Sequence, residues 1–300
     1  MNKIAAVVVT YNRLSLLKEC IYSLRHQSRR LDAIIVVNNS STDGTEHWLN
    51  MQNDLHVIHQ ENGGGAAGFY RGMKEAYKLG FDWIWVMDDD VEPLVSCLEE
   101  MLVANSECND KYDVLQPDRK YINSESEWRY GSQFNFSNPF RPEAIKPVKS
   151  SDFNGERIRS IVSFPFEGPM FSRKVVEKVG FADKRFFILY DDTDYSARVH
   201  FAGFKVGLVR DSVMIKKIRP ANMGIAVDWK MYYKVRNQII LDRKYGNSFI
   251  TVSRALCSNT HRMLAVMKLS FRQRTFSSFP KNAGAIARAM VDGFRFKLTE

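Results

Sequence analysis

Cysteine is scarce and unpatterned in this chain. Four are spread over 300 residues, at Cys20, Cys97, Cys108 and Cys257. Their spacing builds no zinc site, and their density is too low for a disulfide framework, so a reducing cytoplasm is expected. Cys20 and Cys97 fall in helical-looking patterns and read as small core residues. No run of 18 apolar residues occurs, and no membrane-spanning helix is expected. Met1-Asn2-Lys3 leads straight into a strand-like run without the long apolar core of a secretion signal. Internal repeats and low-complexity tracts are missing, which excludes repeat architectures and long solvated linkers.

Acidic residues are short in one region only. From Ala226 onward fourteen Lys/Arg stand against four acids, which accounts for the whole net charge of +9. Trp229, Tyr232 and Tyr233 are interleaved there with Lys230, Lys234, Arg236, Arg243 and Lys244. Such a tail suits an anionic partner. A membrane surface is preferred, since no RNA- or DNA-binding motif is present and no nucleic acid is expected. A helical cap with a solvated basic face has the same composition. Whether the chain forms a homo-oligomer stays open.

What is present is a full globular composition, 45% hydrophobic and 26% charged, long enough for a large core. The first hundred residues alternate strand and helix. Ile4–Val9, Ala33–Val37, Leu55–His59 and Trp83–Met87 are apolar runs of strand length. Leu14–Leu24, Thr45–Met51 and Gly65–Leu79 carry helical spacing or caps between them. This order predicts a mostly parallel α/β sheet flanked by helices, with ligand-binding segments at the carboxyl ends of the strands. Thr10–Arg13, Asn38–Asp43, Asn62–Gly65 and Asp88–Asp90 should then share one rim. From Asp118 to Arg157 the pattern weakens into an irregular, lid-like stretch. Regular structure resumes over Ile158–Phe164, the helices Lys174–Val179 and Thr193–Phe201, and the strand Lys205–Val209. Basic amphipathic helices are predicted over Trp229–Tyr245, Phe249–Leu269 and Ala283–Phe296. Two domains follow, 1–220 and 221–300.

Asp88-Asp89-Asp90 closes the buried run Trp83–Met87. Adjacent carboxylates repel and are costly to desolvate unless a cation sits among them. Mn²⁺ or Mg²⁺ shared with phosphate oxygens answers that requirement; a solvated acidic turn is the plain alternative. Asn62-Gly63-Gly64-Gly65 opens a helix where backbone can approach a ligand closely and anions are favoured, with Arg71 in reach of a diphosphate.

The combination of Val8-Val9-Thr10-Tyr11-Asn12-Arg13, Val36-Val37-Asn38-Asn39-Ser40-Ser41-Thr42-Asp43-Gly44 and the Asp triplet resembles the family 2 glycosyltransferases of the GT-A fold, over about residues 3–220. The run Asn62–Gly72 is similar to the galactofuranosyl- and rhamnosyltransferase branch. This resemblance implies a nucleotide-sugar donor held by Thr10, Tyr11, Asn12, Arg13, Asn38, Asn39, Asn62, Gly63, Gly64 and Arg71. An aspartate is usual where Asn38 and Asn39 stand. Asp88 and Asp90 would meet the diphosphate through the metal, and Asp89 the donor sugar. In Tyr190-Asp191-Asp192-Thr193-Asp194 it implies a general base, Asp192 first and Asp191 second; helix capping would also favour acids there. Phe166 and Glu167 match acceptor positions. Lys216 falls where many relatives carry a metal-binding histidine, and a charged lysine can neutralise phosphate directly but not ligate a metal. His200 reads as a surface residue.

The implied activity is inverting transfer, most simply of galactofuranose from UDP-galactofuranose and secondly of rhamnose from its dTDP sugar. The acceptor is a glycan, expected to be lipid-linked, in bacterial O-antigen or capsule assembly. The location implied is the cytoplasm, peripheral to the inner face of the membrane. A sugar nucleotidyltransferase would need a glycine-rich loop after the first strand, where Thr10–Arg13 stands. A non-catalytic carbohydrate-binding protein would not need both acidic clusters.

Overall fold

The computed structural model describes residues 2–122, 130–140, 144–148, 150–218, 229–273 and 279–298. Two compact units emerge. One comprises residues 1–133, 146–187 and 191–219; the other comprises 134–145, 188–190 and 220–300.

The first unit begins β1 (Ile4–Thr10), α1 (Leu14–Arg25), β2 (Ala33–Asn38), α2 (Thr45–Asn50), β3 (Leu55–His59), α3 (Gly64–Lys78) and β4 (Trp83–Asp88). Each agrees with the apolar periodicity to within a residue or so. β5 (Val91–Pro93), α4 (Cys97–Glu107) and β6 (Val114–Tyr121) follow, then the short β7 (Gly131–Phe134) and β8 (Ala144–Pro147), which pair. β9 (Ile158–Ile161), β10 (Met170–Ser172), α5 (Arg173–Val179), α6 (Asp191–Phe201) and β11 (Val206–Lys216) complete it.

The main sheet runs β3-β2-β1-β4-β10-β6-β11-β5, with β9 on β11. It is parallel through β3-β2-β1-β4, as the strand–helix alternation predicts. Beyond β4 it is mixed: β10 is antiparallel to both neighbours, and β6 and β11 are again parallel. β1 explains why its neighbours must be covered twice. Its side chains alternate, Ala5, Val7 and Val9 packing with Phe69 and Met73 of α3, and Ile4, Ala6 and Val8 packing with Leu17, Ile21 and Leu24 of α1. Burying one such aliphatic side chain contributes about 1.5–3 kcal/mol. α3 lies close on β1 because Gly68 and Gly72 face it: a Cβ on Gly72 would come within 2.2 Å of Val7 Cγ1.

Two expectations need correcting. β6 runs on to Tyr121, so the irregular stretch does not begin at Asp118. β11 does not stop at Val209 but continues to Lys216 through an irregularity between Val209 and Val213. Before the irregularity β11 pairs with β9, and after it with β5. The polar Arg210-Asp211-Ser212 that hides this strand in the sequence is the irregular segment itself.

The second unit holds α7 (Lys230–Tyr245), α8 (Ser248–Gln273) and α9 (Phe279–Arg295). Val235, Ile239, Ala255, Val266, Ile286 and Ala289 form their shared core. Arg254, 1% exposed, pairs with the buried Asp242 and donates Nη2 to the carbonyls of Asn135 (3.1 Å) and Asn138 (2.9 Å). Asn237 donates Nδ2 to the carbonyls of Ile188 (2.9 Å) and Leu189 (2.8 Å). Among the described residues no helix is long and apolar enough to cross a membrane.

Candidate active site

The carboxyl ends of β1, β2 and β4 bring Thr10, Asn38 and Asp88 to one rim of the first unit, and register fixes them there: Thr10 pairs with Asn38, and Val9 with Asp88. The three aspartates then diverge. Asp89 turns inward, 2% exposed; one oxygen accepts from Thr10 Oγ1 (2.7 Å) and the other from Arg13 Nη1 (3.1 Å). The donor-sugar contact expected of Asp89 is thus corrected, because the side chain is buried against Thr10 and Arg13. Asp90 is buried too, with Arg13 Nη1 3.4 Å from Oδ2 and Lys216 Nζ 2.6 Å from Oδ1. Only the Asp88 side chain remains substantially open, at 37%.

Lys216 reaches the triplet through sheet register. The second half of β11 pairs with β5, Lys216 opposite Val91, and the Lys217 N–H donates to the Asp90 carbonyl at 2.8 Å. The Lys216 side chain therefore enters among acids, 2.8 Å from Glu167 Oε1 and 3.8 Å from Asp88 Oδ2 besides Asp90. Burial alone would lower its pKa; Asp88, Glu167 and Asp90 overcome that and hold it well above the usual lysine range. Arg119, on the part of β6 that the sequence pattern hid, pairs with the other side of Glu167. Between two cations Glu167 stays below the ordinary carboxylate range although burial opposes this most strongly.

The α6 N-terminus supplies the second acidic group. Asp194 is fully buried and bound to Arg198 Nε at 3.0 Å; Arg198 in turn caps the carbonyls of Val179 and Phe181. Asp194 is therefore a scaffold residue. Asp192 Oδ1 accepts from the Thr193 N–H (2.6 Å) and Oγ1 (3.2 Å). Its pKa is pushed up to about 6, by burial first, with the Thr193 amide opposing and Glu167 adding. Asp191 is raised well above the usual range by burial, then by Asp192, with Asp88 contributing. Asp88 itself is raised to about 7, by burial first, with Lys216 opposing and Asp90 and Glu167 adding. The exposure left to Asp88 softens that shift. The two acidic clusters, far apart in sequence, thus share one electrostatic field.

The remaining residues sort by contact. Asn12 has a φ of 53° and holds the loop after β2, accepting from the Thr42 N–H at 2.6 Å, while its own N–H donates to Ser41 Oγ. Tyr11 is exposed. Asn38 accepts from the Ser41 N–H (3.1 Å) and lies 3.1 Å from His59 Nδ1; Asn39 bridges Gln60 and the Gly64 carbonyl. Both amides are buried, Asn38 at 0% and Asn39 at 2% exposure, and hold the loops after β2 and β3 together. Asn62 Oδ1 accepts from the Gly64 N–H. Gly64 has φ +82°, and a Cβ there would sit 2.1 Å from the Phe187 carbonyl, so only glycine fits between α3 and the segment before α6. Arg71 stands on the exposed side of α3, seven residues past Gly64, and has no ion pair with the triplet. Phe166 is corrected as an acceptor contact: it is 3% exposed and packed on Phe69, Phe171 and Tyr195, leaving no face for a sugar. Arg119 and His59 were not singled out by sequence pattern. Neither belongs to a motif; only strand pairing shows where they lie.

The fit to Mn²⁺ or Mg²⁺ can be judged from the donor atoms. Asp89 and Asp90 are buried, Asp89 bonded to Thr10 and Arg13 and Asp90 paired with Arg13 and Lys216. Asp88 alone is left, with an ammonium 3.8 Å away. Among the described residues no group of three or more His, Cys, Asp or Glu is arranged to hold a metal. The residues present do not fit a protein-held divalent ion.

Residues 5–180 match the model of glycosyl transferase family 2. Galactofuranosyltransferase GlfT1 of Mycolicibacterium smegmatis is 28% identical over 207 residues, covering 68% of this chain and 67% of that protein. The dTDP-rhamnosyl transferase RfbF of Shigella flexneri is 25% identical over 261 residues, 81% of each chain. Among solved structures, GalNAc-T7 with UDP, GalNAc and Mn²⁺ superposes with a TM-score of 0.60 at 14% identity, over 85% of this chain. This chain spans about half of that structure's length, 54%. At such identity the likeness speaks for the fold, which is GT-A.

Proposed function

The chain belongs to glycosyl transferase family 2, and from that membership we propose that the rim of β1, β2 and β4 binds a nucleoside-diphosphate sugar for inverting transfer. Galactofuranose from UDP-galactofuranose is the first donor and rhamnose from its dTDP sugar the second. The acceptor is a glycan, lipid-linked, in bacterial surface polysaccharide assembly. The observation that carries the reading is the convergence of Asp88, Glu167, Lys216 and the pair Asp191-Asp192, from four separate stretches of chain, at the carboxyl end of the parallel strands. Relatives that carry galactofuranose or rhamnose support the choice of donors.

In this mechanism Asp192 takes the proton from the acceptor hydroxyl. The acceptor oxygen forms its bond to the anomeric carbon from the face opposite the diphosphate. The bond from that carbon to the phosphate oxygen breaks, and its electron pair leaves with the nucleoside diphosphate. Lys216 faces the developing charge on the phosphate. Arg119 and Lys216 keep Glu167 ionised, which leaves it able to accept a hydrogen bond from an acceptor hydroxyl. A Mn²⁺ or Mg²⁺ arriving with the diphosphate would meet Asp88 as its one uncommitted carboxylate, and no step runs through it.

A peripheral membrane location through the second unit rests on one observation. Phe249, Val252, Leu256, Leu264 and Met267 are exposed and fall on one side of α8 at 100° per residue, within a strongly basic region. The transfer reading is tested by incubating the protein with UDP-galactofuranose, dTDP-rhamnose and related donors plus a polyprenyl-linked glycan, and following the product by mass spectrometry. Hydrolysis or transfer with none of the donors overturns it.

A further inference from the structure

We propose that Lys216 is the resident cation of this site, supplying to the departing diphosphate the positive charge a divalent ion would bring, so that donor binding and transfer proceed without one. The assignment rests on the rim being a donor site.

The lysine is held where an ion would have to sit. Its nitrogen lies 2.6 Å from Asp90, 2.8 Å from Glu167 and 3.8 Å from Asp88. An ammonium has three N–H donors. Two are spent on Asp90 and Glu167, and Asp88 is beyond hydrogen-bond reach. Among the described residues the third has no acceptor, which leaves it for a group arriving beside Asp88, the open acid of the triplet. The placement belongs to the backbone: the irregularity after Val209 lets β11 leave β9 for β5, and Lys216 is fixed opposite Val91, next to the triplet. The residue is 8% exposed, so its ammonium is enclosed among these acids.

Charge supports the same assignment. Asp88, Asp89, Asp90 and Glu167 face Arg13, Arg119 and Lys216, four carboxylates against three fixed cations. Asp89, Asp90 and Glu167 are each paired with at least one of these cations, and Asp88 is left with the excess charge. A divalent ion among them would have to displace Lys216 or bear its repulsion at short range. Lys216 is thus more than a filler: it consumes the ligands of an ion and offers its own charge in exchange.

Titration calorimetry of the full chain with UDP and with dTDP, each in EDTA and in Mn²⁺, tests this. In the unaltered protein the affinity for the preferred nucleotide should agree within about twofold between the two conditions. Lys216→Gln should weaken binding in EDTA by about tenfold, the loss of one charge-assisted contact, and Mn²⁺ should recover part of it. Lys216→Arg should keep the ion-independent behaviour. Transfer assays in EDTA should follow the same order. Binding by the unaltered protein that collapses in EDTA and returns with Mn²⁺ overturns the lysine's role, and so does a folded Lys216→Gln that binds normally in EDTA. The first arm needs no variant to fold, and circular dichroism checks the second. No nucleotide binding in either condition overturns the donor-site reading itself, an outcome distinct from ion-dependent binding.

Discussion

Asp192 and Asp194 lie on the same first turn of α6, and their partners set them apart. Asp194 is clamped by Arg198, whereas Asp192 has one amide and one hydroxyl from Thr193 and Glu167 nearby. Asp192→Asn should lower kcat by about 10²–10⁴-fold while nucleotide affinity in calorimetry stays unchanged; full activity in that variant would remove Asp192 as the base. Because the carboxylate must be ionised to accept a proton, kcat/KM should fall with unit slope as pH drops through about 6. Stability runs the other way. An acid whose folded pKa is raised binds more protons folded than unfolded, so its ionisation costs stability as pH rises from the unfolded value near 4 to about 6. Asp192→Asn should therefore melt higher than the unaltered protein above pH 6, and an unchanged or lower Tm there would contradict the burial argument. Arg198→Ala removes the ion pair from the fully buried Asp194 and the donors to the Val179 and Phe181 carbonyls, and should cost about 3–5 kcal/mol in urea unfolding. Sequence patterning marks these acids as a group; it cannot divide them, because the division depends on Arg198 and Glu167 from the folded neighbourhood.

At the scale of elements, the parallel half was legible because its strands are covered on both faces and read as unbroken apolar runs. α3 was legible through its glycines, and the structure gives them separate reasons: Gly64 needs φ +82° against Phe187, and Gly72 needs its missing Cβ against Val7. Gly72→Val should destabilise the fold by about 3 kcal/mol or more, seen as a lower urea midpoint, since α3 would have to lift off β1. β10, β11 and the end of β6 were harder. Three-residue strands carry no period, and an irregularity with Arg210-Asp211-Ser212 in it reads as a loop. These are the elements that deliver Lys216 and Arg119, so the cationic side of the site was the less legible one.

For the whole molecule, the sequence's change of character near Pro220 separates a basic helical region, but the second unit also draws in residues 134–145 and 188–190. Buried Arg254 gives one reason: its guanidinium spends itself on the carbonyls of Asn135 and Asn138 as well as on Asp242. Such contacts join segments more than a hundred residues apart and leave no local signature. The exposed stripe on α8 makes a prediction at this scale. Phe249→Asp with Leu256→Asp should reduce flotation of the full chain with phosphatidylglycerol vesicles several-fold at low salt, and high salt should reduce it for the unaltered protein too. Undiminished flotation of the double variant would remove α8 from membrane contact.

The sequence by itself determined the α/β order, the rim that gathers Thr10, Asn38 and Asp88, and the family, because strand and helix periods and short motifs are local properties of the chain. The tertiary structure decided how each acid is paired and how far it is buried. It turned Asp89 and Asp90 inward, left Asp88 open, buried Phe166, and set Lys216 and Arg119 around Glu167. Those outcomes depend on strand register and on charges meeting across 48 residues for Arg119 and Glu167 and 126 for Lys216 and Asp90, and neither is written in any one stretch of sequence.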